Sequence, residues 1–226
     1  MQGLPCGINT FYYNVMSILR RPFRYSFDNL VFYIIGLNVL VYLAELFLRN
    51  LPVIRGLSMI PLVVIQRGWI WQFVTYMFVH DPRSISHLIF NMLALFIFGR
   101  QVEYKMGSRE FLLYYLLTGI LAGIFSFIIY LFTGYVWITL MGASGAIFAV
   151  QLAFAAFFPN SVVYIWGILP LRAPVMVLGF TALELFLMIT GMGGNVAHTT
   201  HLAGFAFGWL YFLIRFGINP WRAMRR

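Results

Sequence analysis

The chain has 226 residues, of which 62% are apolar and only 9% are charged. A soluble globular domain carries about 45–50% apolar and about 25% charged residues, so this composition excludes an ordinary water-soluble fold and predicts a membrane domain. The formal net charge of +9 does not indicate nucleic-acid binding, because the basic residues lie between apolar runs and at the chain ends rather than along one face. We therefore expect the lipid bilayer, and no nucleic acid, as the partner of this surface. Cys6 is the sole cysteine, which excludes an internal disulfide.

Six apolar stretches are candidates for membrane-spanning helices, which need about 20 mostly apolar residues. The second, fourth and fifth give weaker signals, because they are short or contain polar residues. The stretches are residues 30–47, 85–99, 111–132, 142–158, 174–189 and 196–216. We predict an all-α membrane protein in which residues 29–218 form a six-helix bundle. Residues 1–28 would be an N-terminal cytoplasmic segment, and residues 219–226 a short basic cytoplasmic tail.

The basic residues orient this bundle by the positive-inside rule. With both termini cytoplasmic, eleven Lys and Arg residues fall on the cytoplasmic side and four on the other. This distribution favours a multi-pass protein with an even number of spans. No cleavable signal peptide or transit peptide is evident, and the compact plan favours a bacterial-type plasma (inner) membrane.

The long loop between the first two stretches, residues 49–84, is unusually aromatic, with Trp69, Trp71 and Tyr76 among its residues. Such residues favour the membrane interface, so we expect the loop to lie at the outer surface or partly within the membrane. Irregular backbone at that depth must be buried in protein or line a water-filled cavity.

Polar residues gather near the outer ends of three predicted helices. His87 and Asn91 are four residues apart and therefore share one face of the second helix. Ser144 begins the fourth helix, and His201 lies near the start of the sixth. In the predicted orientation these helices all begin on the outer side, so their polar residues share one depth. Polar residues inside a membrane are functional candidates by default.

The chemistry of these residue types fits acyl transfer. A serine hydroxyl is a weak nucleophile until a base takes its proton, and His201 could serve Ser144 in that way. The oxyanion that forms needs preorganised donors. The His87 ring, the Asn91 amide and the Ser144 backbone N–H, which is free at a helix start, are suitable donors.

Two further residues belong to the candidate site. Gly142 precedes the serine in Gly142-Ala143-Ser144-Gly145 and allows close approach of a substrate backbone. Phe148, one helical turn after the serine, could pack on the His201 ring. A lone serine or histidine in a membrane more often only bonds a helix, so the argument depends on the combination.

Six short segments follow one another around the predicted spans. They are Gly68-Trp69-Ile70-Trp71-Gln72, Phe78-Val79-His80, His87-Leu88-Ile89-Phe90-Asn91, Gly99-Arg100-Gln101-Val102-Glu103, Gly142-Ala143-Ser144-Gly145 and His201-Leu202-Ala203-Gly204. Their order and spacing resemble the rhomboid family of intramembrane serine proteases over nearly the whole chain.

The resemblance implies an endopeptidase that cleaves transmembrane segments of membrane proteins near the extracytoplasmic face. Ser144 would be its nucleophile and His201 its general base, in a dyad with no carboxylate. His87, Asn91 and the Ser144 amide would hold the oxyanion, with Gly142 and Phe148 beside them. The substrate would enter between the second and fifth helices. No cofactor or metal is implied, and no oligomer is required.

Four residues stand apart from this pattern. Gln72 occupies a position where the family often has arginine, which puts the anchoring of the first loop in doubt. Glu103 is interpreted as structural, tying a helix end to a nearby donor. Glu184 has no clear match to catalysis; it could face the bundle interior and is expected to be structural. His198, one turn before His201, could tune the site, although a packing role is expected.

Other membrane proteases lack support, because the chain has no His-Glu-x-x-His motif and its only aspartates, Asp28 and Asp81, lie outside the predicted spans. Two alternatives remain open. One is a catalytically inactive rhomboid-like protein that binds or escorts membrane proteins, although such relatives typically lose the serine or histidine. The other is a small transporter, although no internal repeat is convincing.

Overall fold

The computed structural model describes residues 20–48, 56–165, 167–191 and 197–225, and within them the chain is mostly helical. Two π-helical turns interrupt this pattern, Leu95–Gly99 inside α4 and Phe212–Phe216 after α8. The helices are α1 (Leu30–Phe47), α2 (Pro61–Arg67), α3 (Gln72–Thr75), α4 (Ile85–Met106), α5 (Ser108–Thr133), α6 (Ser144–Phe157), α7 (Ala173–Thr190), α8 (Ala197–Tyr211) and α9 (Pro220–Met224).

Four of these helices, α1, α4, α5 and α7, are long and apolar enough to cross a membrane. They make the chain a multi-pass membrane protein. Helix α6 is apolar but has only 14 residues, and α8 begins with the polar run His198-Thr199-Thr200-His201. The count of six spans therefore stays a prediction. Helix α4 also continues past the predicted end at residue 99, until Gly107 turns the chain at φ 87°.

The prediction of an all-α chain is wrong in one place. Strands β1 (Val162–Ile165) and β2 (Leu169–Arg172) form an antiparallel hairpin between α6 and α7, with Val162 opposite Arg172. Gly167 lies in the turn at φ 72°, a conformation that favours glycine. β-Branched and aromatic residues before a glycine are a hairpin signal. The apolar character of the surrounding stretches concealed it.

Helix α6 is buried along most of its length and packs against α5 and α8. Because lipid provides no hydrophobic driving force between helices, close packing of small residues fixes their contacts. A Cβ atom on Gly204 of α8 would lie 1.9 Å from the Gly145 carbonyl oxygen, and one on Gly208 would lie 3.0 Å from the Ala149 Cβ. The backbones of α6 and α8 therefore touch near the start of α6.

Buried carboxylates join helix ends that lie away from the start of α6. Glu103 accepts hydrogen bonds from the backbone N–H groups of Leu30 (2.6 Å) and Val31 (3.0 Å), and so caps α1. This confirms its expected structural role. Glu110 of α5 accepts two hydrogen bonds from Arg215, at 2.7 and 2.9 Å. A charge-assisted bidentate pair of this kind fixes the geometry between the two segments.

Hydrogen bonds hold the described part of the first loop together and join it to α5. The fully buried Gln72 donates to the Gly56 carbonyl and accepts from the Ile60 N–H, both at 3.1 Å. The Tyr76 hydroxyl donates to the Gly119 carbonyl of α5 at 2.6 Å. Gln72 therefore ties the loop through a neutral amide. The depth of the loop in the membrane stays a prediction.

Candidate active site

The starts of α6 and α8 bring Ser144 and His201 together. Ser144 is the first residue of α6, and His201 lies in the second turn of α8. The His201 Nε2 atom is 2.7 Å from the Ser144 Oγ atom. The contact between Gly145 and Gly204, each close in sequence to one of these residues, sets this separation. A ring with its proton on Nδ1 would accept the serine hydroxyl hydrogen at Nε2.

Phe148 holds the imidazole from one side. Its ring lies 4.6 Å from the His201 ring, centroid to centroid, at an interplanar angle of 10°. The contact expected from its spacing after Ser144 is therefore present. Parallel stacking restricts rotation of the histidine and favours the orientation that faces the serine.

Gly142 brings His87 beside the serine. It adopts φ 114°, and a Cβ atom there would lie 2.9 Å from the His87 Nε2 atom and 3.8 Å from the Ser144 Oγ atom. Glycine is therefore required on two grounds, its backbone conformation and the space that it leaves. Its N–H donates to the Tyr76 carbonyl at 2.9 Å, which joins this turn to the first loop.

Asn91 is engaged within its own helix. It is buried, and its Nδ2 atom donates to the His87 carbonyl at 2.9 Å. A side-chain amide carries two hydrogens, so this bond leaves the second available. The Ser144 backbone N–H lies in the first turn of α6, where amides have no intrahelical partner.

His80 in the first loop packs against the His87 ring. It is fully buried, and its ring centroid lies 5.0 Å from that of His87. The backbone N–H of His80 donates to Glu45 of α1 at 3.1 Å. Burial, together with the neighbouring His87, lowers the pKa of His80 from 6.5 to about 4, so the ring is neutral near pH 7. Its position in the Phe78-Val79-His80 segment was the only signal for this role in the sequence.

Glu184 of α7 lies beside the candidate base, where the expectation of a dyad placed no carboxylate. One of its oxygens, Oε1, lies 3.1 Å from the His201 Nδ1 atom, and the other, Oε2, lies 2.5 Å from the His198 Nδ1 atom. The structural role expected for Glu184 did not foresee this direct contact with the candidate base. His198 also bonds this carboxylate rather than only packing. The spacing of the two histidines, one helical turn apart on one face, was the signal for a shared partner.

Within the described parts of the chain, no group of three His, Cys, Asp or Glu side chains is arranged to hold a metal ion. The arrangement of hydroxyl, imidazole and carboxylate instead fits proton transfer coupled to nucleophilic attack.

The family model described as "Rhomboid domain" matches residues 67–218, which is more than half of the chain. The chain belongs to the rhomboid family. All the candidate site residues lie inside the matched segment.

Curated relatives of this rhomboid carry two kinds of name. The chain is 34% identical over 135 residues to "Rhomboid-like protein 11, chloroplastic" of Arabidopsis thaliana, covering 57% of this chain and 41% of that protein. It is 44% identical over 85 residues to "Rhomboid protease GluP" of Bacillus subtilis (strain 168), covering 38% of this chain and 15% of that protein. It is 28% identical over 148 residues to "Putative rhomboid protease YdcA" of the same organism, covering 65% and 67%. The chain thus spans less than half of the first two relatives.

Proposed function

We propose that this chain is an intramembrane serine endopeptidase that cleaves transmembrane segments of membrane proteins near the extracytoplasmic face. The observation that carries the proposal is the 2.7 Å contact between the Ser144 hydroxyl and the His201 imidazole. Rhomboid family members are typically serine proteases, and two of the relatives above carry the names "Rhomboid protease" and "Putative rhomboid protease". An inactive binding or escort protein would have no need of this contact.

The reaction divides into two stages, acylation and deacylation of the serine, each with a proton taken up and given back by His201. His201 Nε2 takes the hydroxyl proton as the Ser144 oxygen attacks the scissile carbonyl carbon. The resulting imidazolium then gives that proton to the leaving amine, which departs with one half of the substrate. Water attacks the acyl-enzyme that remains, with the same imidazole as base, and hydrolysis restores the free hydroxyl.

The oxyanion of each tetrahedral intermediate needs donors already in place. The backbone N–H of Ser144 at the start of α6 is one donor. The His87 ring, held against Gly142, is the second. The second amide hydrogen of Asn91, which its bond to the His87 carbonyl leaves available, is the third.

In the membrane, we propose a six-helix bundle in which α4, α6 and α8 begin at the extracytoplasmic side and both termini are cytoplasmic. The first loop would be partly embedded in the outer leaflet of a bacterial-type plasma membrane. Substrate would enter from the lipid between α4 and α7. Only 22% of α7 is buried, the lowest share among the four long helices, and its buried residues all lie in its first five positions. Beyond these positions α7 has few buried apolar contacts for an incoming segment to displace, although Glu184 ties it to α8.

Labelling of the purified chain with a fluorescent fluorophosphonate, beside Ser144→Ala, tests the proposal. We expect the wild-type chain to be labelled and to cleave a model transmembrane substrate in liposomes, and the variant to do neither. Folding of the variant is checked by thermal unfolding. Absence of both activities in folded wild-type protein would refute the proposal and favour a rhomboid-like binding protein or a transporter.

A further inference from the structure

Glu184 is a carboxylate of α7 placed between two imidazoles of α8. Its oxygens lie 2.5 Å from the His198 Nδ1 atom and 3.1 Å from the His201 Nδ1 atom. Its side chain is only 16% exposed, and those of the two histidines are 11% and 13% exposed. A carboxylate so poorly hydrated is stable only where N–H groups or cations replace the lost water. In the described part of the chain, its ion-pair partners are the two imidazoles.

This placement decides which nitrogen of His201 carries the proton. An ionised carboxylate accepts hydrogen bonds and repels a lone pair, so the nitrogen that faces it must be N–H. The proton on Nδ1 leaves the lone pair on Nε2, directed at the Ser144 hydroxyl. That is the tautomer in which the imidazole can act as a base.

The contact between Glu184 and His201 has the length of a hydrogen bond but not its alignment, because the ring N–H is not aimed at the oxygen. The contact to His198 is the shorter one. Hydrogen bonds at active sites are often loose before substrate binds and tighten as charge develops.

We propose that Glu184 is a positioning residue that holds His201 in its basic tautomer and stabilises the imidazolium formed during catalysis. The site is then a Ser144–His201–Glu184 triad, with His198 fixing the second carboxylate oxygen. This inference rests on the proposed function. Glu184 takes no proton in the reaction; protons pass only between Ser144, His201, the leaving amine and the attacking water.

The titratable groups that face His201 come from three helices: His87 from α4, Glu184 from α7 and His198 from its own α8. The serine side, from α6, contributes Ser144 and the apolar Phe148 ring. Among the described neighbours, Glu184 is therefore the group whose negative charge favours a positive imidazole. Replacing Glu184 must therefore change the pH dependence of the reaction. Replacing a residue with a merely structural role would leave that pH dependence unchanged.

The test compares Glu184→Gln, Glu184→Asp and the matched control Glu103→Gln. Glu103 is a fully buried carboxylate at the opposite end of α4, about 24 Å along the helix from His87. Steady-state cleavage of a model transmembrane substrate is measured from about pH 5 to 8, where histidine titrates. A parallel series in a His198→Gln background removes the titration of the second histidine.

We expect Glu184→Gln to lower kcat by about 10- to 100-fold, the value of one charged hydrogen bond, with little change in KM. The acid limb of its rate profile should move to lower pH, because a neutral amide does not stabilise the protonated ring. This shift should persist in the His198→Gln background. Glu184→Asp keeps the charge at a greater distance and should give an intermediate kcat. Glu103→Gln should leave the acid limb unchanged, whatever its effect on thermal stability.

An unchanged kcat and acid limb in folded Glu184→Gln would overturn the inference while leaving the protease intact. If that variant does not fold, a wild-type kcat in Glu184→Asp would overturn it equally. Failure of the proposed function would look different, since the folded wild-type chain would then be neither labelled nor able to cleave the substrate.

Discussion

The contact between α6 and α8 sets the distance between the nucleophile and its base, and Gly204→Ala should break it. A Cβ atom at this position would lie 1.9 Å from the Gly145 carbonyl oxygen, whereas ordinary van der Waals contact begins near 3.4 Å. The two backbones must therefore separate by about 1.5 Å, because neither atom belongs to a flexible side chain.

This displacement acts directly on the reacting atoms. Gly145 follows Ser144, and Gly204 lies three residues after His201 on the same helix face. A rigid separation of about 1.5 Å would stretch the 2.7 Å contact between hydroxyl and imidazole to roughly 4 Å, beyond a hydrogen bond. A misplacement of about 1 Å can cost about 100-fold in rate. Overpacking should also lower the free energy of unfolding by about 1–3 kcal/mol.

The assay is the rate of fluorophosphonate labelling together with kcat for a model substrate, at a temperature where thermal unfolding shows both proteins folded. Gly36→Ala in α1 is the matched control, since a Cβ there meets nothing within 4 Å. We expect about 100-fold slower labelling for Gly204→Ala and an unchanged rate for Gly36→Ala. Wild-type labelling by folded Gly204→Ala would refute the reasoning that this contact positions the site.

Two further predictions concern the groups around the site. Asn91→Ala should lower turnover by about 100-fold or less, because it removes one of several oxyanion donors; unchanged turnover would remove Asn91 from the site. His80 should make stability depend on pH: its pKa is 6.5 when unfolded and about 4 when folded, so the unfolded chain binds the proton first as pH falls. The free energy of unfolding should then decrease by as much as about 3 kcal/mol between about pH 6.5 and 4. Thermal unfolding across this range should show a smaller loss in His80→Asn, and an equal loss would contradict this assignment.

The meeting of Ser144 and His201 could be predicted from the sequence, because two features agreed. Their motifs lie at helix starts, and the distribution of basic residues predicts that those starts share one side of the membrane. Phe148 followed from its spacing of four residues after the serine. Both contacts are present in the structure.

Glu184 could not be assigned in the same way. It lies on α7, and its relation to His201 depends on how that helix is rotated against α8, which no spacing within either helix encodes. Asn91 shows a similar limit, since helix periodicity places it on the right face but does not determine that its amide bonds the His87 carbonyl. The hairpin at Val162–Ile165 and Leu169–Arg172 lies between the fourth and fifth predicted helices, and it was missed because its short runs lack the alternation of apolar and polar residues that marks a strand.

The nucleophile Ser144 and the base His201 should act as one unit, and a double-mutant cycle measures the coupling between them most directly. Residual cleavage of a model transmembrane substrate is compared for Ser144→Ala, His201→Ala and the double variant, with folding of each checked by thermal unfolding. Because neither residue works without the other, we expect the double variant to lose no more turnover than either single variant. Losses that multiply in the double variant, or turnover near the wild-type value in either single one, would contradict the account.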